Sequence, residues 1–479
     1  MGLIFLLLHL TLYFDAGVWL IRQASYYFSI PSGIPRSTNL VHLAFVAYGA
    51  RASGVWLGRF TSWGGRSAVF ARLPAGGTAS SELDCLGEVK NDQESPSEIP
   101  PSLLSSLPRT LLDWRNTDVY PPRKVWDPLQ AWFATRGLHL FKADDPNSAF
   151  FGAVFPTDPT IRAPDGNYIY TGNPESCLFQ FTRCQKPIHC FAQTVDGRYV
   201  LIRLIAKGDF GHEELDILQK VAMGPLSFLG ENHCLPMAQQ LTLQDMTFGV
   251  FPAVTEGFGF PWYHAISEVF DATIQLLEAL NFLHRHLIAH RDIGADNILI
   301  NFVGGKRPIT PDLPFRSLFP VRYYFIDFEL AVRFAETSPV EDRVVTGLPI
   351  KRLGSDDPDD YGRDIAPEML SDAPYNPFQT DVFQMGIMFY NYFRLLKEDA
   401  PGLVAIFERM AAAEPNARPT AGEALDMVRA CEKTLTRAQL ALPVPEASLP
   451  DRNYTERLKR KVAKAKAKSE ALVAFQNAI

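Results

Sequence analysis

Six cysteines, at positions 85, 177, 184, 190, 234 and 431, are spread along the chain, and no two of them form a C-x-x-C pair. That spacing excludes the usual zinc and dithiol redox motifs and fits reduced, core-filling thiols in a reducing compartment. Glycine is missing from residues 173–196. Backbone amides approach phosphate closely only where side chains are absent, so that stretch holds no phosphate-cradling loop. A basic excess is also missing: the net charge is −7, which gives no sign of a body that binds a specific nucleic acid.

Residues 2–81 contain no lysine, and no acidic residue stands between Asp15 and Glu82. Six arginines, from Arg22 to Arg72, follow an apolar run from Gly2 to Ile21 that is broken by His9 and Asp15. The run is long enough to span a bilayer, but Asp15 in mid-span is costly. No basic residue precedes it and no small-x-small site closes it, so it matches a secretory signal poorly. An Arg-rich, acid-poor composition suits a transit peptide, yet those are amphipathic rather than led by an apolar block. A poorly ordered extension is the reading preferred here. Membrane contact through residues 2–21, as an anchor, is the alternative not favoured. Residues 88–110 are rich in Pro, Ser and Glu, a linker composition. Residues 1–111 are therefore expected to be an extension and linker without much order.

The remaining chain has ordinary globular composition, within an overall 47% apolar and 21% charged residues in 479. Helical spacing predicts a helix over Val125–Gly137, with the glycine as its stop. Ile188–Ala206 reads as two strands around Asp196-Gly197, a hairpin signal. Glu213–Val221 reads as a short helix, and Leu235–Met237 and Thr247–Val254 as further strands. Ser267–His286 places Val269, Leu276, Leu280 and Leu283 on one helical face, with Ser267 as a suitable cap. Asn301–Val321 is rich in Gly and Pro and is expected to be a surface loop. Beyond Leu442–Pro450, a proline-spaced linker, residues 453–479 read as an exposed basic helix. The boundaries drawn are 112–255, 256–434 and a 435–479 tail.

Two apolar runs each end in chemistry-bearing residues. LIAHRDIGADNILINF delivers His290, Arg291 and Asp292, with Asn297 five residues on. VRYYFIDFEL delivers Asp327, Phe328 and Glu329. Two buried strands followed by turn residues would give the same pattern. Phosphoryl transfer, however, calls for one carboxylate near the attacking hydroxyl and oxygen ligands for Mg²⁺ around the phosphates. The order is informative: H-R-D-x-x-x-x-N, then Asp327-Phe328, then Ala366-Pro367-Glu368, then Asp381-Val382-Phe383-Gln384-Met385-Gly386, then Glu414 to Thr420 reading EPNARPT.

In that order these segments resemble the eukaryotic protein kinases over Tyr120–Thr434. Phrases such as NHCLPM, FGVFPAV and YYFIDFELA look closest to the divergent kinase-like proteins of basidiomycete fungi. The resemblance implies an α+β, bilobal protein kinase-like fold, with a β-rich small lobe over 112–255 and a helical large lobe over 256–434. It implies ATP and Mg²⁺ as cofactors, Asp292 as base, and Asn297 and Asp327 as metal ligands. Aligned on the kinase third strand, Arg203 replaces the phosphate-gripping lysine, with Lys207 as second candidate. Glu214 is its expected partner, with Glu213 next. Arg418 is expected to pair with Glu368. Three departures weigh against catalysis: Gly294 replaces the catalytic-loop lysine, Glu329 replaces the D-F-G glycine, and no glycine-rich loop precedes the hairpin. Two functions stay open: an ATP-dependent kinase acting on a protein Ser/Thr hydroxyl, and a pseudokinase serving as a nucleotide-binding or scaffold module. The protein substrate or partner is not named by the sequence. An intracellular, cytoplasmic or nuclear location is expected, with membrane anchoring as the alternative.

Overall fold

The computed structural model describes residues 104–117, 122–143, 151–152, 170–171, 186–195, 197–303, 315–317, 319–355 and 357–446. The chain divides after Gly87, and every described residue lies in the part from Glu88 to Ile479. The expectations for residues 2–81 and for the basic tail fall outside the described residues. Among the described residues no helix is long and apolar enough to cross a membrane.

The architecture is mixed α+β. Five antiparallel strands, β1 (Leu138–Leu140), β2 (His189–Thr194), β3 (Tyr199–Lys207), β4 (Gln239–Leu243) and β5 (Met246–Pro252), lie in the order β1-β2-β3-β5-β4. The expected hairpin is β2 with β3, in a register that sets His189 opposite Arg203. Strand β1 was not expected, and its polar centre, His139, hides it. Leu235–Met237 is no strand; only Cys234 beside it bridges to Phe325.

The helix expected over Val125–Gly137 is two pieces. Pro122–Leu129 is a 3₁₀ segment containing Pro128, which has no N–H to offer a helix, and α2 (Gln130–Ala134) follows. Gly137, at φ +73°, ends the segment. Trp114, of α1 (Leu111–Arg115), joins Trp126, Trp132 and Phe133 in one cluster against Phe248 of β5. Trp126 lies 5.6 Å from Phe248 and donates its indole N–H to Pro187 O at 2.6 Å. Each such aromatic, once buried, contributes about 1.5–3 kcal/mol. Leu107 and Leu111 are buried in the same cluster, so packing begins before the boundary at 112.

The helix after β3, α3 (His212–Val221), packs its Leu215, Ile217, Leu218 and Val221 into a second core. That core is built around α4 (Ile266–Arg285), whose Val269, Leu276, Leu280 and Leu283 are fully buried. Ser267 is not its cap. The helix begins at Ile266, and the Glu268 carboxylate instead accepts from His264 N at 2.7 Å and from Ser317 Oγ at 2.7 Å. Two antiparallel ribbons pack against α4: β7 (Ile288–Ala289) with β10 (Val332–Arg333), and β8 (Ile298–Ile300) with β9 (Tyr323–Phe325), the latter extended by β6 (Thr255–Glu256).

Below them lie α5 (Pro377–Phe393), α6 (Pro401–Met410) and α7 (Ala421–Thr434). Gly386 lets α5 approach α6: a Cβ there would stand 2.6 Å from Met410 Cβ. The expected Glu368–Arg418 pair is present and bidentate, at 2.5 and 2.9 Å, and Arg418 also donates to the carbonyls of Ala412, Ala413 and Gln379. Packing also runs past 434, since Val444 is buried and Leu442 O accepts from Ile266 N.

Most of the expected surface loop after Asn301 lies outside the described residues, but its described C-terminal part is partly buried, with Ser317 and Pro320 exposed. Arg316 is buried, with its guanidinium on Tyr323 Oη and on the carbonyls of Gly257, Phe258 and Pro261. Arg316 staples β9 to the chain ahead of α4.

Candidate active site

The Asp292 segment leaves β7 through a turn that α5 dictates. Asp381, fully buried, accepts from His290 N at 2.8 Å, Arg291 N at 2.7 Å and His284 Nε2 at 3.0 Å. Gln384, one turn further along, accepts from Ile293 N at 3.2 Å. These bonds hold Arg291 at φ +63°, a left-handed conformation that costs a non-glycine residue about 1–3 kcal/mol. Strain of that kind persists only where the surroundings over-determine it.

Within the segment Asn297 donates to Asp292 O at 2.9 Å and to Asp292 Oδ2 at 2.7 Å. Arg363 completes the shell, with Nε on Oδ1 at 2.7 Å and Nη2 on Oδ2 at 3.2 Å. Burial raises the Asp292 pKa above the ordinary carboxylate value, and Arg363 pulls it back.

The second segment follows β9. Ile326 N donates to Asn297 O at 3.1 Å, which ties it to the first. Asp327 then also takes a left-handed backbone, at φ +67°. Its carboxylate meets Arg203 of β3 at 3.0 Å and Lys186 at 3.5 Å. Arg203 pairs with Glu214 of α3 at 2.9 Å and lies 3.8 Å from Glu329. Glu329 in turn pairs with Arg115 of α1.

One arginine is thus shared among three carboxylates in a desolvated place, and the proton affinities of Asp327 and Glu214 part. Burial would raise Asp327, but Arg203 and Lys186 outweigh it and hold that carboxyl far below the usual range. Burial wins at Glu214, which is pushed up to about 7 against the pull of Arg203.

The residues expected from the sequence therefore fall into two linked groups: Arg203, Glu214 and Asp327 in an ion network, and Asp292 with Asn297 in a hydrogen-bonded pair. Lys207 is not part of either. It pairs with Asp245, at 2.9 Å. Glu213 is exposed and does not take the place of Glu214. Sequence reading missed Arg363, Lys186, Arg115 and the anchoring role of Asp381. Only one signal pointed to any of them: a glycine at 294, where the resemblance asks for a cation.

Among the described residues no three His, Cys, Asp or Glu cluster as a metal cage. Mg²⁺ does not need one, since it is commonly held by one or two protein groups together with substrate phosphates and water. Asp327, kept ionised, suits it. So does Asn297, whose amide N–H groups both go to Asp292, leaving the amide oxygen as its ligand atom.

Comparison with protein-family models and with curated proteins gives no match.

Proposed function

We propose that this chain is a protein kinase-like domain of bilobal α+β fold, which binds ATP with Mg²⁺ and transfers a phosphoryl group to a protein Ser/Thr hydroxyl. The observation that carries the reading is the meeting of Arg203, Glu214 and Asp327, from β3, α3 and the segment after β9, at 2.9 and 3.0 Å. Kinase chemistry requires a third-strand cation paired with a helix glutamate while the metal-site aspartate is in place. Arg203 would grip the nucleotide phosphates, and Asn297 and Asp327 would hold the metal, whose bound charge neutralises those phosphates. Asp292 would accept the proton of the attacking hydroxyl. Its raised pKa makes it a better base than an ordinary carboxylate, and Asn297 fixes its orientation.

The test is a calorimetric titration of the full chain with ATP, with and without Mg²⁺. Binding should require Mg²⁺ in the parent and lose that requirement in Asp327→Asn, a variant that still folds, though it melts lower because Arg203 loses a partner. A variant that binds Mg·ATP as tightly as the parent would overturn the metal assignment.

A second reading, a nucleotide-binding or scaffold module without phosphotransfer, is favoured by the three hydrogen bonds that Arg363 and Asn297 make to the Asp292 carboxylate. Binding of Mg·ATP with no γ-phosphate transfer to protein would decide for it.

A further inference from the structure

The place above Gly294 is filled by an arginine from a distant part of the chain. A Cβ added at Gly294 would stand 2.8 Å from Asp296 Oδ1, 2.9 Å from Arg363 Nη1 and 3.0 Å from Arg363 Cζ. Gly294 itself has φ −163°, which any residue adopts, so the backbone does not demand glycine there. The Arg363 guanidinium, with Asp296 bound to it, occupies the space of a side chain.

Arg363 is well fixed. Its Nε and Nη2 fork onto Asp292, and its Nη1 meets Asp296 at 2.8 Å. The segment that carries it is pinned from two sides: Tyr361 donates to Arg291 O, and Gln384 donates to Tyr361 Oη at 2.7 Å and to Asp364 O at 3.2 Å. Nη1 faces both Asp296 oxygens, at 2.8 and 3.0 Å, while Nη2 makes one bond, to Asp292, and keeps its second N–H. The side chain is 15% exposed, so that donor lies at the edge of the site beside Asp292.

We infer that Arg363 is the cation that binds the terminal phosphoryl group of the nucleotide, and that Gly294 is glycine to make room for it. This rests on the nucleotide-binding reading above. The ligand class is a nucleoside triphosphate in preference to a diphosphate. A planar guanidinium can hold Asp292 with one edge while its remaining N–H meets a phosphoryl oxygen, which a lysine ammonium at 294 could not do with one rigid fork. The same contact orients Asp292, so Arg363 joins the base and the transferred group in one rigid unit.

The experiment measures affinity of the full chain for Mg·ADP and for an Mg-bound ATP analogue with a non-hydrolysable β–γ bridge. The parent should prefer the triphosphate. Arg363→Gln should lose that preference by about tenfold, the effect of one charge-assisted hydrogen bond, with ADP affinity unchanged. Arg363→Lys should keep most of it. A purely structural arginine would weaken both ligands alike. If Arg363→Gln keeps the preference, the assignment to Arg363 is wrong while nucleotide binding stands. If the parent binds neither ligand, both readings fall. Should Arg363→Gln not fold, Asp296→Asn decides: its carboxylate is 63% exposed, and its loss frees Nη1. The triphosphate preference should then rise several-fold, and an unchanged preference overturns the inference.

Discussion

The two halves of the candidate site are held in different ways. The Asp292 segment is fixed from beneath by α5, through bonds from buried side chains to its backbone: Asp381 to His290 N and Arg291 N, and Gln384 to Ile293 N. The Asp327 segment is fixed mainly by charge, through Arg203 and Lys186, with Arg115 held at one remove by Glu329. Both contain a left-handed residue, Arg291 and Asp327, so both are strained. The first therefore carries a preset geometry that no ligand needs to complete. The second is an ion network whose partners a phosphate or a cation can exchange. A proton acceptor belongs on the first kind of support, and a site that must take up and release a charged ligand belongs on the second.

The strongest way to break this contrast is Asp381→Ala. It strands two backbone N–H groups and leaves Arg291 in an unsupported left-handed turn. The loss of a fully buried carboxylate with several partners should cost about 3–5 kcal/mol, read by denaturant unfolding. A cost below about 1 kcal/mol, the ordinary worth of one net hydrogen bond, would mean that the segment does not depend on α5.

A smaller effect sharpens the other half. Glu214 is raised from the usual 4.5 to about 7 by burial, with Arg203 opposing. Its folded pKa lies above its unfolded one, so its contribution to stability is complete below about pH 4.5 and is lost as pH rises to about 7. In Glu214→Gln that titration is gone. The variant should gain on the parent by about 2 kcal/mol between pH 4.5 and 7, an order-of-magnitude figure from the linkage of proton binding to folding. Parallel stability curves across that range would show Glu214 ionised throughout, and the network would then contain no group that titrates near neutrality.

The sequence revealed these two segments unequally. Asp292 and Asp327 were legible because each follows a short apolar strand, and Asn297 because its spacing from Asp292 within one turn is local. Arg203 was legible because β3 is a long apolar run with only one cation inside it besides Lys207 at its end, and the structure sets Arg203 against Glu214 and Asp327. The supports were not legible. Asp381 reads as the start of a buried helix, and only the fold turns its carboxylate to a loop about ninety residues earlier. Arg363 sits among aspartates in YGRD, where a charge pair on the surface is the ordinary expectation, and its place over Gly294 comes from tertiary packing. Strand β4 was missed because QQLTL has no run of β-branched residues, yet pairing with β5 over five residues suffices to form it.

Arg115→Ala should have the smallest effect, and it tests whether the charge-held half is as exchangeable as its geometry implies. Arg115 pairs with Glu329, the two side chains 17% and 11% exposed. Removing it does not isolate Glu329, because Arg203 remains 3.8 Å away. Partly exposed ion pairs contribute about 0–1 kcal/mol, so unfolding at moderate salt should move by no more than that. Salt dependence is the sharper measure. Exposed pairs weaken as the screening length falls from about 10 Å at 0.1 M to about 3 Å at 1 M salt. Parent and variant should therefore differ most at low ionic strength and converge at high ionic strength. The Arg203–Glu214 and Arg203–Asp327 pairs, which the substitution leaves intact, should be common to both proteins and cancel. A loss of several kcal/mol that persists at high salt would mean that Arg115 is a fixed part of the site. The α1 segment would then hold Asp327 as firmly as α5 holds Asp292, and the contrast between the two halves would disappear.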